Sequence, residues 1–164
     1  TLIVFGLLMV GCTFSAPQFE AGIRFVDRVA SGMSETAQEP RARWLASVGD
    51  RGAVLNPYLS GGLTVFANVD GDAIAFDGWT IRSITGFGLS SPVSVTGKDG
   101  ARVFVYGGAQ TTTDCDAWTR SGLNWEQVCA NGDGQITLDE TRNIQSITMA
   151  LGNELGIVTL RVAK

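Results

Sequence analysis

The chain has 164 residues, enough for one domain with a substantial core. Hydrophobic residues make up 45% and charged residues 17%, which argues against a disordered chain, and a net charge of −4 with scattered Lys and Arg argues against the clustered basic footprint of a nucleic-acid binder. Histidine is absent, which removes the commonest general base and zinc ligand and excludes a Ser-His triad.

Leu2 to Val10 form an uncharged apolar run. It is too short to cross ~30 Å of hydrocarbon as a helix, and its length suits the apolar region of an export signal. Met9-Val10-Gly11-Cys12 resembles a lipobox, with Met9 where leucine is usual. On this reading residues 1–11 are the end of a signal peptide whose initiator Met and basic start are missing from the sequence. Cys12 becomes the lipid-bearing N-terminus, palmitate included, and residues 12–18 are a tether. Buried acyl chains contribute ~0.8 kcal/mol per CH₂, so such an anchor is stable. A buried N-terminal strand that happens to contain a cysteine is the competing reading. Thr13 stands where lipoproteins retained in the inner membrane of enterobacteria tend to carry Asp, which by that resemblance favours the outer membrane.

Export implies an oxidising compartment. Cys115 and Cys129 are the two cysteines left, and they are expected to pair. A closed loop of roughly 15 residues is worth on the order of 3 kcal/mol in the chain-entropy model. The alternative is two free buried thiols. No Cys-x-x-Cys motif is present, which argues against a catalytic disulfide.

Phe19, Ile23, Val26 and Ala30 recur at spacings of four, three and four, one face of a helix. Pro40 can start a second helix carrying Trp44, Leu45 and Val48, closed by Gly49 and Gly52. Residues 19–52 thus read as a helical arm. After residue 53 the pattern changes to short β-rich runs: Leu63 to Val69, Ala73 to Phe76, Trp79 to Ile84, Pro92 to Thr96 and Ala101 to Tyr106. Further runs follow at Leu123 to Val128, Gln135 to Leu138, Asn143 to Met149 and Gly156 to Val162. Asp-Gly pairs at Gly71, Gly78, Gly100 and Gly134 separate apolar runs and signal hairpins, whose tight turns need positive φ. The expected fold is mainly β: a single antiparallel domain over residues 53–164, barrel-like or a sandwich meander, with a short helical N-terminal arm.

Residues 129–140 match the calcium-loop pattern in part: Asn131 and Asp133 at the third and fifth positions, Gly134 at the turn and Glu140 at the twelfth. The first position, usually Asp, is Cys129, a soft donor that a hard cation does not favour. The run upstream alternates like a strand rather than a helix. The preferred reading is a hairpin with Asn131-Gly132-Asp133-Gly134 at its tip and no metal. Asp70, Asp72 and Asp77 offer paired carboxylates for acid–base work on a sugar, against the reading of solvated turn residues. Trp79, Trp118 and Trp125 are candidates for glycan or partner contact, against core packing.

From about residue 62 onward the chain resembles the YjbF/GfcB lipoproteins associated with exopolysaccharide and capsule production. Asp77-Gly78-Trp79-Thr80-Ile81-Arg82-Ser83-Ile84-Thr85-Gly86-Phe87-Gly88 looks like the family's Asp-Gly, strand, Thr-x-Gly-Leu-Gly segment, with Phe87 in place of leucine. Cys115 and Cys129 frame Trp118 and Trp125. Ile144-Gln145-Ser146 followed by Glu154-Leu155-Gly156-Ile157-Val158-Thr159-Leu160 is similar to its closing strand pair, with Asn153 where proline is common. The aromatic-rich strand that precedes this ending in the family is lost here. The resemblance implies a non-enzymatic outer-membrane lipoprotein facing the periplasm, without cofactor, working beside polysaccharide-export proteins. It implies no catalytic residue, and it makes the calcium-like loop a hairpin. The reading from another class is a calcium-stabilised envelope binding protein that uses the 129–140 loop. A third is a periplasmic carbohydrate-active enzyme using paired carboxylates.

Overall fold

The computed structural model describes residues 42–98, 100–152 and 155–163. The export signal, Cys12, the tether and the helix expected from Phe19 lie outside the described residues.

Thirteen strands follow in order: β1 (Trp44–Val48), β2 (Arg51–Ser60), β3 (Leu63–Ala67), β4 (Ala73–Phe76), β5 (Ile81–Thr85), β6 (Val93–Lys98), β7 (Ala101–Tyr106), β8 (Ala109–Asp114), β9 (Thr119–Ser121), β10 (Asn124–Gln127), β11 (Gly134–Leu138), β12 (Ile144–Ala150) and β13 (Ile157–Val162). All neighbours pair antiparallel in one curled sheet of order β8-β7-β6-β5-β4-β3-β2-β1-β13-β12-β11-β10-β9. The mainly antiparallel β fold expected from the turn spacing is the one observed.

The long strand β2 makes the corner. Its first half, Arg51 to Leu55, pairs with β1, and its second half, Asn56 to Ser60, pairs with β3. Pro57 lacks an amide hydrogen, yet it sits inside a strand. The geometry allows this because β1 begins at Trp44, opposite Leu55, and among the described residues no strand flanks Pro57 on that side. Trp44 and Phe66 meet across the corner with ring centroids 4.7 Å apart. The two halves of the sheet then share one core, with Ile74, Ile84, Val93 and Val95 from one side and Ile136, Ile147, Met149, Val158 and Leu160 from the other. Burying each such side chain is worth about 1.5–3 kcal/mol.

One expectation is corrected. Trp44, Leu45 and Val48 were expected on a helix, but Trp44–Val48 is strand β1. Trp44, Ala46 and Val48 are buried and alternate with half-exposed Leu45 and Ser47. Five residues carry either period, and pairing with both β2 and β13 decides in favour of period two. The sheet therefore takes in residues assigned by pattern to the arm. Strands β8 and β9 were also missed, because Gln110, Thr111, Thr112 and Thr119 show no apolar alternation.

The turns explain most of the glycines. Gly71, Gly78 and Gly100 have positive φ, as the Asp-Gly reading requires. Gly134 does not; it lies within β11, paired with Gln127 and Met149, and the turn residue is Gly132 at φ 115°. A Cβ on Gly134 would fall 2.8 Å from Arg102 Nη2 and 3.0 Å from Trp118 Cη2, so packing fixes this glycine.

Candidate functional site

Each of Trp79, Trp118 and Trp125 is placed by polar contacts of its own neighbourhood. Asp77 accepts hydrogen bonds from the backbone N–H of Trp79 at 2.8 Å and of Thr80 at 2.7 Å, an Asx-type turn that holds Trp79 between β4 and β5. Arg82 Nε donates to the same carboxylate at 2.5 Å. Trp118 follows Cys115, whose backbone forms an isolated antiparallel bridge with Cys129. Asp116 N donates to Val128 O at 2.8 Å, and Ala130 N donates to Asp114 O at 2.9 Å. The disulfide Cys115–Cys129, with Cα atoms 4.0 Å apart, ties the chain after β8 to the chain after β10. The edge strand β8 is thereby tied to the connection between β10 and β11. Trp125 lies on β10 directly opposite Arg120 of β9.

The structure brings all three tryptophans together, half-buried. The rings of Trp79 and Trp118 are tilted with centroids 5.5 Å apart, and Trp79 meets Trp125 edge-on at 5.0 Å. Each such pair is worth ~0.5–1.5 kcal/mol beyond its burial. A guanidinium caps each end of the set. Arg102 lies 5.8 Å from the Trp118 ring centroid and Arg120 lies 5.8 Å from that of Trp125, within cation–π range.

Arg102 and Arg120 differ in setting. Arg120 is exposed and donates to Gly122 O at 3.2 Å. Arg102 points inward from β7 and is only 3% exposed. Its Nη2 donates to Gln127 Oε1, while Nε and Nη1 have no partner. Gln127 Nε2 in turn donates to Asp116 O at 2.6 Å, so the amide joins Arg102 to the segment that carries Trp118. Desolvation by burial lowers the Arg102 pKa to about 10. All three rings also pack against the hydrophobic core, so the cluster offers only their part-exposed surface, with guanidinium donors beside it for carboxylate oxygens.

The other candidates fall elsewhere. Asp133 Oδ1 accepts from Cys129 N at 3.3 Å and Asn131 N donates to Thr113 Oγ1 at 3.1 Å. Strand β11 runs between Asp133 and Glu140, with Ile136 and Leu138 buried and Gln135 exposed. At ~3.3 Å per residue the strand carries Glu140 far from the turn, so Asn131, Asp133 and Glu140 do not converge. Among the described residues no group of three or more His, Cys, Asp or Glu side chains is placed to hold a metal ion. Asp72 is a clamp: its carboxylate accepts from Asn68 Nδ2 at 2.9 Å and from Phe87 N at 2.6 Å. Asp70 is exposed at the turn.

Arg102, Gln127 and Arg120 escaped the sequence reading. A signal for Arg102 was present: in Ala101 to Tyr106 it shares the phase of buried Phe104. A cation on the apolar face of a strand calls for a partner.

The fold and cluster define a class: an extended antiparallel β protein, curled on itself, with a disulfide that ties β8 to the β10–β11 connection beside an aromatic–guanidinium cluster. No family model matches the chain, and no curated protein matches it. Among solved structures it is similar to the crystal structure of the hypothetical lipoprotein YmcC from Escherichia coli (K12), at 12% identity and a TM-score of 0.52, over 94% of this chain and 98% of that one. At that identity the likeness is one of fold.

Proposed function

We propose that this is a non-enzymatic lipoprotein of the bacterial cell envelope, held in the outer membrane by lipid on Cys12 and facing the periplasm. There it is an accessory to exopolysaccharide or capsule production or export, touching glycan or export-protein partners through Trp79, Trp118 and Trp125. The observation that carries the reading is the convergence of those three tryptophans into one half-buried cluster. The lipobox-like Cys12, the disulfide suited to an oxidising compartment and the shared fold with a solved lipoprotein support it.

Two measurements test it together. Cells expressing the full precursor with Cys12→Ser should fail to incorporate labelled palmitate into the protein, and its outer-membrane fractionation should be lost. Deleting the gene should lower secreted polysaccharide, with rescue by the parent and weaker rescue by Trp125→Ala. Unchanged polysaccharide in the deletion strain would refute the accessory role.

A further inference from the structure

We propose that the tryptophan cluster recognises an acidic glycan, a chain bearing sugar carboxylates, with Arg120 and Arg102 as the charge partners of those carboxylates. The inference rests on the glycan-contact reading above and names its ligand class.

Ion pairs form elsewhere on the sheet, between Arg51 and Asp50 and between Arg82 and Asp77. Among the described residues, neither guanidinium that caps the cluster has a carboxylate within 4.0 Å, in a protein whose net charge is −4. Arg120 stands exposed at the rim, over Trp125. Arg102 lies beneath Trp118 with two of its three nitrogens unpartnered. Buried charges are ordinarily paired, because losing hydration without a counter-charge is costly. A planar guanidinium best takes a carboxylate through two parallel bonds. Gln127 gives Arg102 one neutral oxygen where a carboxylate would give two. For a carboxylate to reach Arg102, Gln127 would have to leave it and break its bond to Asp116 O. A sugar ring on the aromatic faces would then direct its carboxylate to Arg120 at the rim or to Arg102 below. Half-buried tryptophans suit such rings through their apolar faces.

The test uses the folded, disulfide-bonded protein and calorimetric titration with hexagalacturonate, maltohexaose serving as the uncharged control. Hexagalacturonate should bind about tenfold tighter or more, and the preference should shrink in about 0.5 M salt, where exposed charges are screened. Arg120→Gln should weaken hexagalacturonate binding about threefold or more, and by a larger factor than it weakens maltohexaose binding. Gln127→Glu supplies an internal carboxylate to Arg102. It also loses the Nε2 donor to Asp116 O, so its melting curve is recorded beside the titration; the folded variant should lose much of the acidic preference, and Arg120→Gln, which leaves that bond intact, reads recognition separately. Equal binding of the two oligosaccharides, or hexagalacturonate binding undiminished in both variants, would overturn the inference and leave the glycan-contact reading standing. Binding of neither sugar would overturn the inference and glycan contact together.

Discussion

Cys115 and Cys129 face each other at a Cα separation of 4.0 Å across the seam between the chain leaving β8 and the chain leaving β10. A curled sheet has two edges, and open edges are sites of unwanted pairing. Here the backbone bonds flanking the disulfide pair the end of edge strand β8 with the connection between β10 and β11 over a short stretch. The same stretch positions Trp118 and, through Gln127, Arg102. The latch and the candidate site are therefore mechanically one unit.

Removing the latch should cost stability. Cys115→Ala/Cys129→Ala is expected to lose about 3 kcal/mol in urea unfolding, the chain-entropy value for a loop of this length. The parent in reductant should lose a similar amount. Near-ultraviolet circular dichroism should weaken in parallel, because Trp118 loses its tether.

Gly86 and Gly61 separate two reasons for a glycine. Both have positive φ, but a Cβ on Gly61 meets nothing within 4 Å, whereas one on Gly86 falls 2.6 Å from Asp72 Cα and 2.7 Å from Gly71 O. Gly61→Ala should cost about 1–2 kcal/mol from backbone conformation alone. Gly86→Ala should cost about 1–3 kcal/mol more, because backbone atoms must move. Paired denaturation curves check the difference, and equal losses would contradict the clash.

Gly134→Ala pushes against the far ends of Arg102 and Trp118 rather than against backbone. Those side chains can yield, so a loss of about 1–2 kcal/mol is expected. The sharper signature is optical: tryptophan emission should shift as the contact of Trp118 with Trp79 is disturbed.

Asp139 makes stability acid-sensitive. Burial acts to raise its pKa, but hydrogen bonds from the Thr141 side chain, the Asn143 backbone, the Thr141 backbone and the Asn143 side chain together hold it below the ordinary value of 3.8. The native pKa is below the unfolded one, so the native state binds fewer protons in acid. The contribution is fully present above the unfolded value and fades as pH falls through the native value. Asp139→Asn should therefore destabilise at pH about 6, with the gap to the parent narrowing below pH about 4. Urea midpoints across that range measure it.

Several features were legible in the sequence for physical reasons. The alternation of Val158, Leu160 and Val162 is the period of a strand with one buried face, and it appears as β13. The Asp-Gly signals at Gly71, Gly78 and Gly100 mark turns because positive φ is a local requirement. Cys115 and Cys129, the two cysteines left once Cys12 is set apart, have few alternatives to each other. The Gly61-Gly62 and Gly107-Gly108 turns carry the same local signal and went unread, which left β2 and β8 unassigned.

The sequence by itself determined the β class, most strand positions, the pairing of Cys115 with Cys129 and the three tryptophans as candidates, since each depends on local periodicity, turn chemistry or residue counts. The strand separating Asp133 from Glu140 was already expected, whereas only the tertiary structure decided that Trp44–Val48 is a strand and that β2 turns the corner at Leu55 and Asn56. It alone set Arg102 under Trp118 with two empty donors. These outcomes rest on pairing between segments distant in sequence, and such pairing is fixed by burying a shared core rather than by any window of neighbouring residues.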